Sequence, residues 1–119
     1  MQMLRQLRKR SEFLRAARGN RAGRSAFSLQ AIASESPDAG IGYTVTKKTG
    51  NSPERNRIKR RLRAAAASCA SDFHPQHDYV IVGRREALSE KFDKLVRDLS
   101  SSITKVHASR ADAPRKPTQ

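Results

Sequence analysis

The sequence is short of several things at once. It has one cysteine, no tryptophan, four phenylalanines and two tyrosines in 119 residues. It also has 11 acidic residues against 25 Lys and Arg. A single thiol, Cys69, excludes an internal disulfide framework, and a chain of this size without bridges fits a reducing compartment; Cys69 reads as a buried structural thiol. No apolar run approaches the roughly 20 residues of a membrane-spanning helix. The opening "MQMLRQLRKR" is basic but lacks the apolar stretch of a signal sequence. These absences predict a cytoplasmic chain with no membrane partner. Sparse aromatics and modest length predict a single domain around one hydrophobic cluster. No repeat or low-complexity segment appears.

The shortage of acid leaves a net charge of +14, and its placement is informative. Residues 1–24 carry eight bases and one acid (Glu12), and residues 47–63 carry another eight with one acid (Glu54). Elsewhere bases and acids balance at nine each. Two concentrated cationic segments are the footprint of a polyanionic ligand, whereas solubility would need only a diffuse excess.

Apolar spacing divides the chain into elements. "RKRSEFLRAA" predicts a short helix with Ser11 as its cap, broken by Gly19, Asn20 and Gly23. "SAFSLQAIAS" and "IGYTVTK" alternate as strands, joined by "ESPDAG" into a predicted antiparallel pair. In "TGNSPER", Ser52 is placed to cap a helix, Pro53 suits its first position and Glu54 its positive end. Ile58, Leu62, Ala65 and Cys69 then form a thin apolar stripe at i, i+4, i+7 and i+11, and the helix should end near Ser71. "DYVIVG" is apolar without alternation, as a central strand covered on both faces would be. It should lie parallel to the strand before the basic helix. Leu88, Phe92, Leu95, Val96, Leu99 and Ile103 predict a last helix with Ser89 as cap, and "HASRADAPRKPTQ" has no pattern. The predicted division is a flexible N-terminus over residues 1–6, one polyanion-binding domain over 7–105 and a disordered tail over 106–119.

In the basic helix six of the nine residues from 55 to 63 are Arg or Lys. At about 100° per residue, Asn56, Arg60 and Arg63 lie opposite the stripe, with Lys59 on one flank and Arg57 and Arg61 on the other. Such crowding repels itself by a few tenths of a kcal/mol, roughly, per i, i+4 pair, and a bound polyanion would relieve it. Arginine forks suit phosphate, and an Asn among them suits base edges or 2′-hydroxyls. The same pattern also serves a solvated face, a nuclear-import patch, a membrane-surface helix or a calmodulin-type target. The thin stripe ending in alanines disfavours a membrane role.

The run "VTKKTGNSPERNRIKRRLRAA" resembles the RNR motif of the bacterial ribonuclease P protein family, through Lys47, Lys48, Gly50, Asn51, Arg55, Asn56, Arg57, Ile58, Lys59, Arg60 and Arg63. "RKRSEF", "FSLQA" and "DYVIVGR" resemble the family's opening segment, second strand and last strand, so the likeness covers residues 7 to 104. It implies an α+β two-layer sandwich with about four strands in the order α-β-β-β-α-β-α and a left-handed crossover around the basic helix. It further implies that Asn51, Arg55, Asn56, Arg57, Lys59, Arg60, Arg61 and Arg63, with Lys47 and Lys48 at the strand end, bind the catalytic ribonuclease P RNA. A cleft of Phe13, Gly42, Thr44 and Thr46 would hold the single-stranded 5′ leader of precursor tRNA. Ala17 and Gln30 stand where the family often has aromatics, so stacking there should be weaker. Phe13 is either a stacking residue or core.

The family implication is that this chain is the protein cofactor of an endoribonuclease, with Mg²⁺ held chiefly by the RNA and no obligate protein partner. The residues agree, because no nucleophile, base or metal constellation stands out. His74 and His77 in "HPQH" lack a third ligand at a matching distance, and Asp72 and Asp78 read as cap and terminator. A structural RNA-binding protein of the small ribosomal type accounts for charge and fold equally well; only the fixed Arg-Asn-Arg-Ile-Lys-Arg frame separates the two.

Overall fold

The computed structural model describes residues 4–115, with side chains over residues 4–108. Eight main elements follow one another: β1 (Arg5–Gln6), α1 (Arg10–Ala16), β2 (Asn20–Gly23), β3 (Phe27–Ala33), β4 (Gly40–Thr44), α2 (Ser52–Ser68), β5 (His77–Gly83) and α3 (Phe92–Arg115). Short 3-10 turns cover Lys47–Thr49, Ala70–Asp72 and Arg85–Leu88. The strands form one mixed sheet in the order β1-β4-β5-β3-β2. This is the expected α+β architecture, with five strands in place of about four. Among the described residues no helix is long and apolar enough to cross a membrane.

The run Tyr79 to Val82 takes the centre, as its unbroken apolarity requires. β5 lies parallel to β4, from Gly40 beside Asp78 to Thr44 beside Val82. On its other side it is antiparallel to β3, from Phe27 beside Gly83 to Ala33 beside His77. The expected antiparallel pairing of β3 with β4 is therefore wrong. A strand buried on both faces needs a neighbour on each edge, and β5 obtains them by inserting between two strands that adjoin in sequence.

After β1 the elements follow the implied order α-β-β-β-α-β-α, so one strand is additional to it. The first residues are not all a flexible lead, because the Arg5 amide donates to Ala39 O (2.7 Å) and the Leu7 amide to Ile41 O (3.0 Å), making β1 a parallel edge strand. Asn20–Gly23, a break by its residues alone, is the first of the three strands that the implied order sets between α1 and α2, and it pairs antiparallel with β3. The preceding Gly19 marks a close approach of backbones, since a Cβ there would stand 1.9 Å from Ala31 O.

Helix ends also differ from expectation by a residue or more. Asn51, not Ser52, caps α2: Glu54 N donates to Asn51 Oδ1 (3.0 Å) and Asn51 N to Glu54 Oε1 (2.9 Å). Ser52 is the first helical residue, and Ser68 ends the helix ahead of the turn at Ala70–Asp72. Ser11 sits inside α1, whose start is satisfied by Glu12 Oε1 accepting from the Arg8 and Lys9 amides (2.9 and 3.0 Å). Those bonds, to Lys9 foremost, hold the Glu12 carboxyl below its ordinary value. Ser89 closes the turn Arg85–Leu88, and α3 begins only at Phe92. The predicted tail from residue 106 is helical as far as residue 115, while residues 116–119 lie outside the description. The helix continues because Val106 still has core to cover, at 1% exposure.

The larger core lies between the sheet and α2 with α3. The predicted stripe Ile58, Leu62, Ala65 and Cys69 is buried there beside Phe27, Leu29, Tyr79 and Ile81. Each fully buried large aliphatic chain contributes about 1.5–3 kcal/mol. A smaller cluster of Leu7, Ala16 and Val80, joined by Phe13, Ile32 and Val82, lies on the opposite face under α1.

Candidate nucleic-acid interface

With its stripe anchored, α2 must turn its other sides to solvent. Asn56, Arg57, Arg60 and Arg63 are exposed and Lys59 is half-buried. Lys47 and Lys48, in the turn after β4, are exposed as well. Three expected RNA contacts have duties within the protein. Asn51 forms the cap, and Arg55 donates to Gly50 O (2.7 Å) and Ser52 Oγ (3.2 Å). The Arg61 guanidinium is spent on the carbonyls of Ala87 and Glu90, which ties α2 to the chain leading into α3. Glu54 pairs with Arg85 (2.8 Å); that bond and the Asn51 amide pull its carboxyl down to about 2. The lone acid of this segment is thus engaged, and the outward face stays cationic.

On the opposite face of the sheet, α1 leaves an open cleft of about 400 Å³ lined by Arg8, Arg10, Phe13, Leu14 and Thr44. Phe13 lies over Gly42, where a Cβ would come within 2.6 Å of its ring. The ring is both core and wall: it packs on the Leu7, Ala16, Val80 cluster and borders the cleft. The structure thus brings Phe13, Gly42 and Thr44 together. Thr46 stands apart, exposed at the entry to the Lys47–Thr49 turn with its Oγ1 3.3 Å from Thr49 Oγ1. Spacing puts Leu14 on the apolar side of the short helix but not in the cleft, and it did not single out Arg8 or Arg10. The signal for Leu14 is an apolar residue on a helix this short, 54% exposed.

The model of the Ribonuclease P family matches residues 1–107. The chain belongs to the ribonuclease P protein family. It is 45% identical to the ribonuclease P protein component of Ruegeria pomeroyi, with 86% of each chain covered. It is 38% identical to that of Brucella suis over 92% of this chain and 85% of the relative. The fold matches the RNase P proteins of Staphylococcus aureus (TM-score 0.70, 24% identity, 85% of this chain and 95% of that one) and Thermotoga maritima (TM-score 0.69, 22%, 79% and 90%). Membership makes the chain the protein subunit of an endoribonuclease that matures the 5′ ends of tRNA, working with the RNase P RNA.

A ribonuclease P protein has two basic segments here, and the structure divides the first between scaffold and surface. Arg5 Nη2 lies 2.5 Å and Arg15 Nη1 3.8 Å from the carboxylate of Asp78, which is 3% exposed on β5. Asp78 therefore does not terminate anything; it is a buried charge whose partners pin β1 and α1 to the central strand. Asp72, in the turn after α2, accepts from Ser100 Oγ (2.7 Å). Arg24 donates to Ser101 Oγ (2.5 Å), whereas Arg8 and Arg10 face the cleft. Of the two positions where the family often has aromatics, Ala17 is exposed just past α1 and Gln30 is half-buried on β3. The histidines surprise: His107 from α3 stacks on His74 (centroids 3.6 Å, planes 4° apart) and meets His77 edge-on at 4.6 Å. No group that could hold a metal ion results among the described residues.

Proposed function

We propose that the outward face of α2 docks the ribonuclease P RNA and that the cleft beside α1 takes the 5′ leader of precursor tRNA. The observation carrying the first part is the outward set Asn56, Arg57, Arg60 and Arg63, held opposite a fully buried stripe so that the donors stand on a rigid rod. With Lys47 and Lys48 at its N-terminal end, that rod presents forks and point charges to a phosphate backbone without rearrangement. The cleft supports the second part: Arg8 and Arg10 attract the backbone, Phe13 and Leu14 give unpaired bases an apolar wall, and Thr44 is short enough to let the strand lie close, while Gly42 seats the Phe13 ring from beneath.

Mg²⁺ belongs with the RNA in this reading, since the chain's dominant field repels cations. The protein then contributes binding and charge screening to a phosphodiester hydrolysis carried out on the RNA side. The test is reconstitution with a ribonuclease P RNA and precursor tRNA at low Mg²⁺, scoring 5′ cleavage. Joint replacement of the exposed Asn56, Arg57 and Arg60 by alanine should abolish the low-Mg²⁺ rescue while circular dichroism stays native. Undiminished cleavage would remove α2 from the interface.

A further inference from the structure

α2 does not cover the whole inner face of β4. Beside its C-terminal half, Leu4, Gln6, Ile41, Tyr43, Arg63 and Ala67 line a pocket of about 210 Å³. Its chemistry is specific. The Tyr43 ring forms a flat, half-buried wall, and the Arg63 guanidinium carbon stands 5.2 Å from that ring's centroid. Burial pushes the Tyr43 hydroxyl up to about 12, so it remains a neutral donor. The amides of Arg5 and Leu7 are spent on β4. By the alternation of a strand, the N–H and C=O of Gln6 turn to the outer edge, next to its exposed carboxamide.

The result is a flat apolar slot with a guanidinium plane at its mouth and a donor and acceptor at its rim. Such a slot recognises one unstacked nucleobase, which would stack on Tyr43 as the exposed Arg63 side chain swings from over the ring to the base's other face, with hydrogen bonds along the base edge. It is smaller than the roughly 300 Å³ at which sites for drug-sized ligands begin. Its flank carries two cations and an amide: Asn56, Lys59 and Arg63 follow one another near i, i+3 and i+7, and a backbone bound there would pass the opening. We propose that this pocket receives a single unpaired nucleobase of the ribonuclease P RNA, extruded from the strand that α2 holds. The proposal rests on the docking of RNA along α2.

Ala67→Leu tests it by filling the slot from the exposed wall of the helix, with a good helix former and without removing a charge. Affinity for the ribonuclease P RNA should fall about tenfold, the loss of one stacked base, with the slope of log affinity against log salt unchanged. Base-specific chemical probing should find one unpaired nucleotide that the wild-type chain protects and Ala67→Leu does not. An abasic residue at that nucleotide should weaken the wild type by the same factor and leave the variant's affinity where it was. Wild-type affinity and protections in Ala67→Leu would overturn the proposal while sparing the docking reading. A flat salt response of the wild-type chain would instead sink the docking reading, and the pocket with it. Protection lost on deleting residues 1–3, with Ala67→Leu silent, would place the protected nucleotide away from the slot and also overturn the proposal. If Ala67→Leu melts early, Gln6→Ala on the exposed edge carries the same test through the same nucleotide.

Discussion

Arg60 and Arg61 are neighbours of one residue type with opposite employment. Arg60 is exposed, while Arg61 is half-buried with its guanidinium on the carbonyls of Ala87 and Glu90. Arg60→Ala should lower the salt slope of RNA binding by about 1 and leave the urea midpoint unchanged. Arg61→Ala should cost about 1–2 kcal/mol of folding stability, for two carbonyls deprived of a charged donor, with a normal slope in the protein that remains folded. Filter-binding titrations across salt, beside urea melts, separate the two. Periodicity puts Arg60 opposite the stripe and Arg61 on a flank, but what that flank meets depends on where the chain after β5 passes. The motif tells which side chains are cationic; only packing tells which are still available.

At the scale of elements, the long periodic segments were legible and the short edges were not. α2 announced itself through a stripe that recurs over the twelve residues from Ile58 to Cys69, and β5 through an apolar run too dense for one face. β1 has two residues and β2 four, too few for any period to register. Their sequences also look like turns and tails, since what makes them strands is the partner each finds. The cleft was half legible for the same reason: Phe13, Gly42 and Thr44 come from two elements that only the sheet brings together. Gly42→Ala would push a methyl into the Phe13 ring, 2.6 Å from its edge. That variant should bind leader-bearing precursor tRNA up to about tenfold more weakly in the holoenzyme, the value of one stacked base. Its affinity for mature tRNA should stay unchanged. Equal losses on both substrates would point to a general packing defect.

For the whole molecule, the C-terminal helix is fastened by histidine. His107 Nε2 lies 2.6 Å from the Tyr79 hydroxyl, which also accepts from the His74 amide (2.8 Å), and His74 stacks on His107. Burial first, and His77 second, hold His74 below its ordinary value. A histidine depressed in the folded state lends stability that is complete above its unfolded value near 6.5 and is lost as pH falls through its folded one. The melting temperature should therefore drop between pH 7 and pH 5, and His74→Gln should flatten that drop. Glu54 stays ionised across this window and does not contribute to it. Sequence reading stopped at a two-histidine loop, because the third ring arrives from a segment that carries no pattern of its own.

The place of β5 has a consequence in time. Ribosomes deliver the chain from its N-terminus, yet β3 and β4 have no bonds to each other and wait for His77–Gly83 to join them. Both proposed RNA-facing surfaces are complete in sequence by Arg63, before the strand that organises them emerges. A nascent chain stalled just short of β5 should consequently be digested by protease throughout. One stalled after β5 and α3 have cleared the exit tunnel should resist as a unit. The subunit thus becomes able to grip RNA only near the end of its own synthesis, and a truncated product lacking β5 would carry the charge of the binding helix without its orientation.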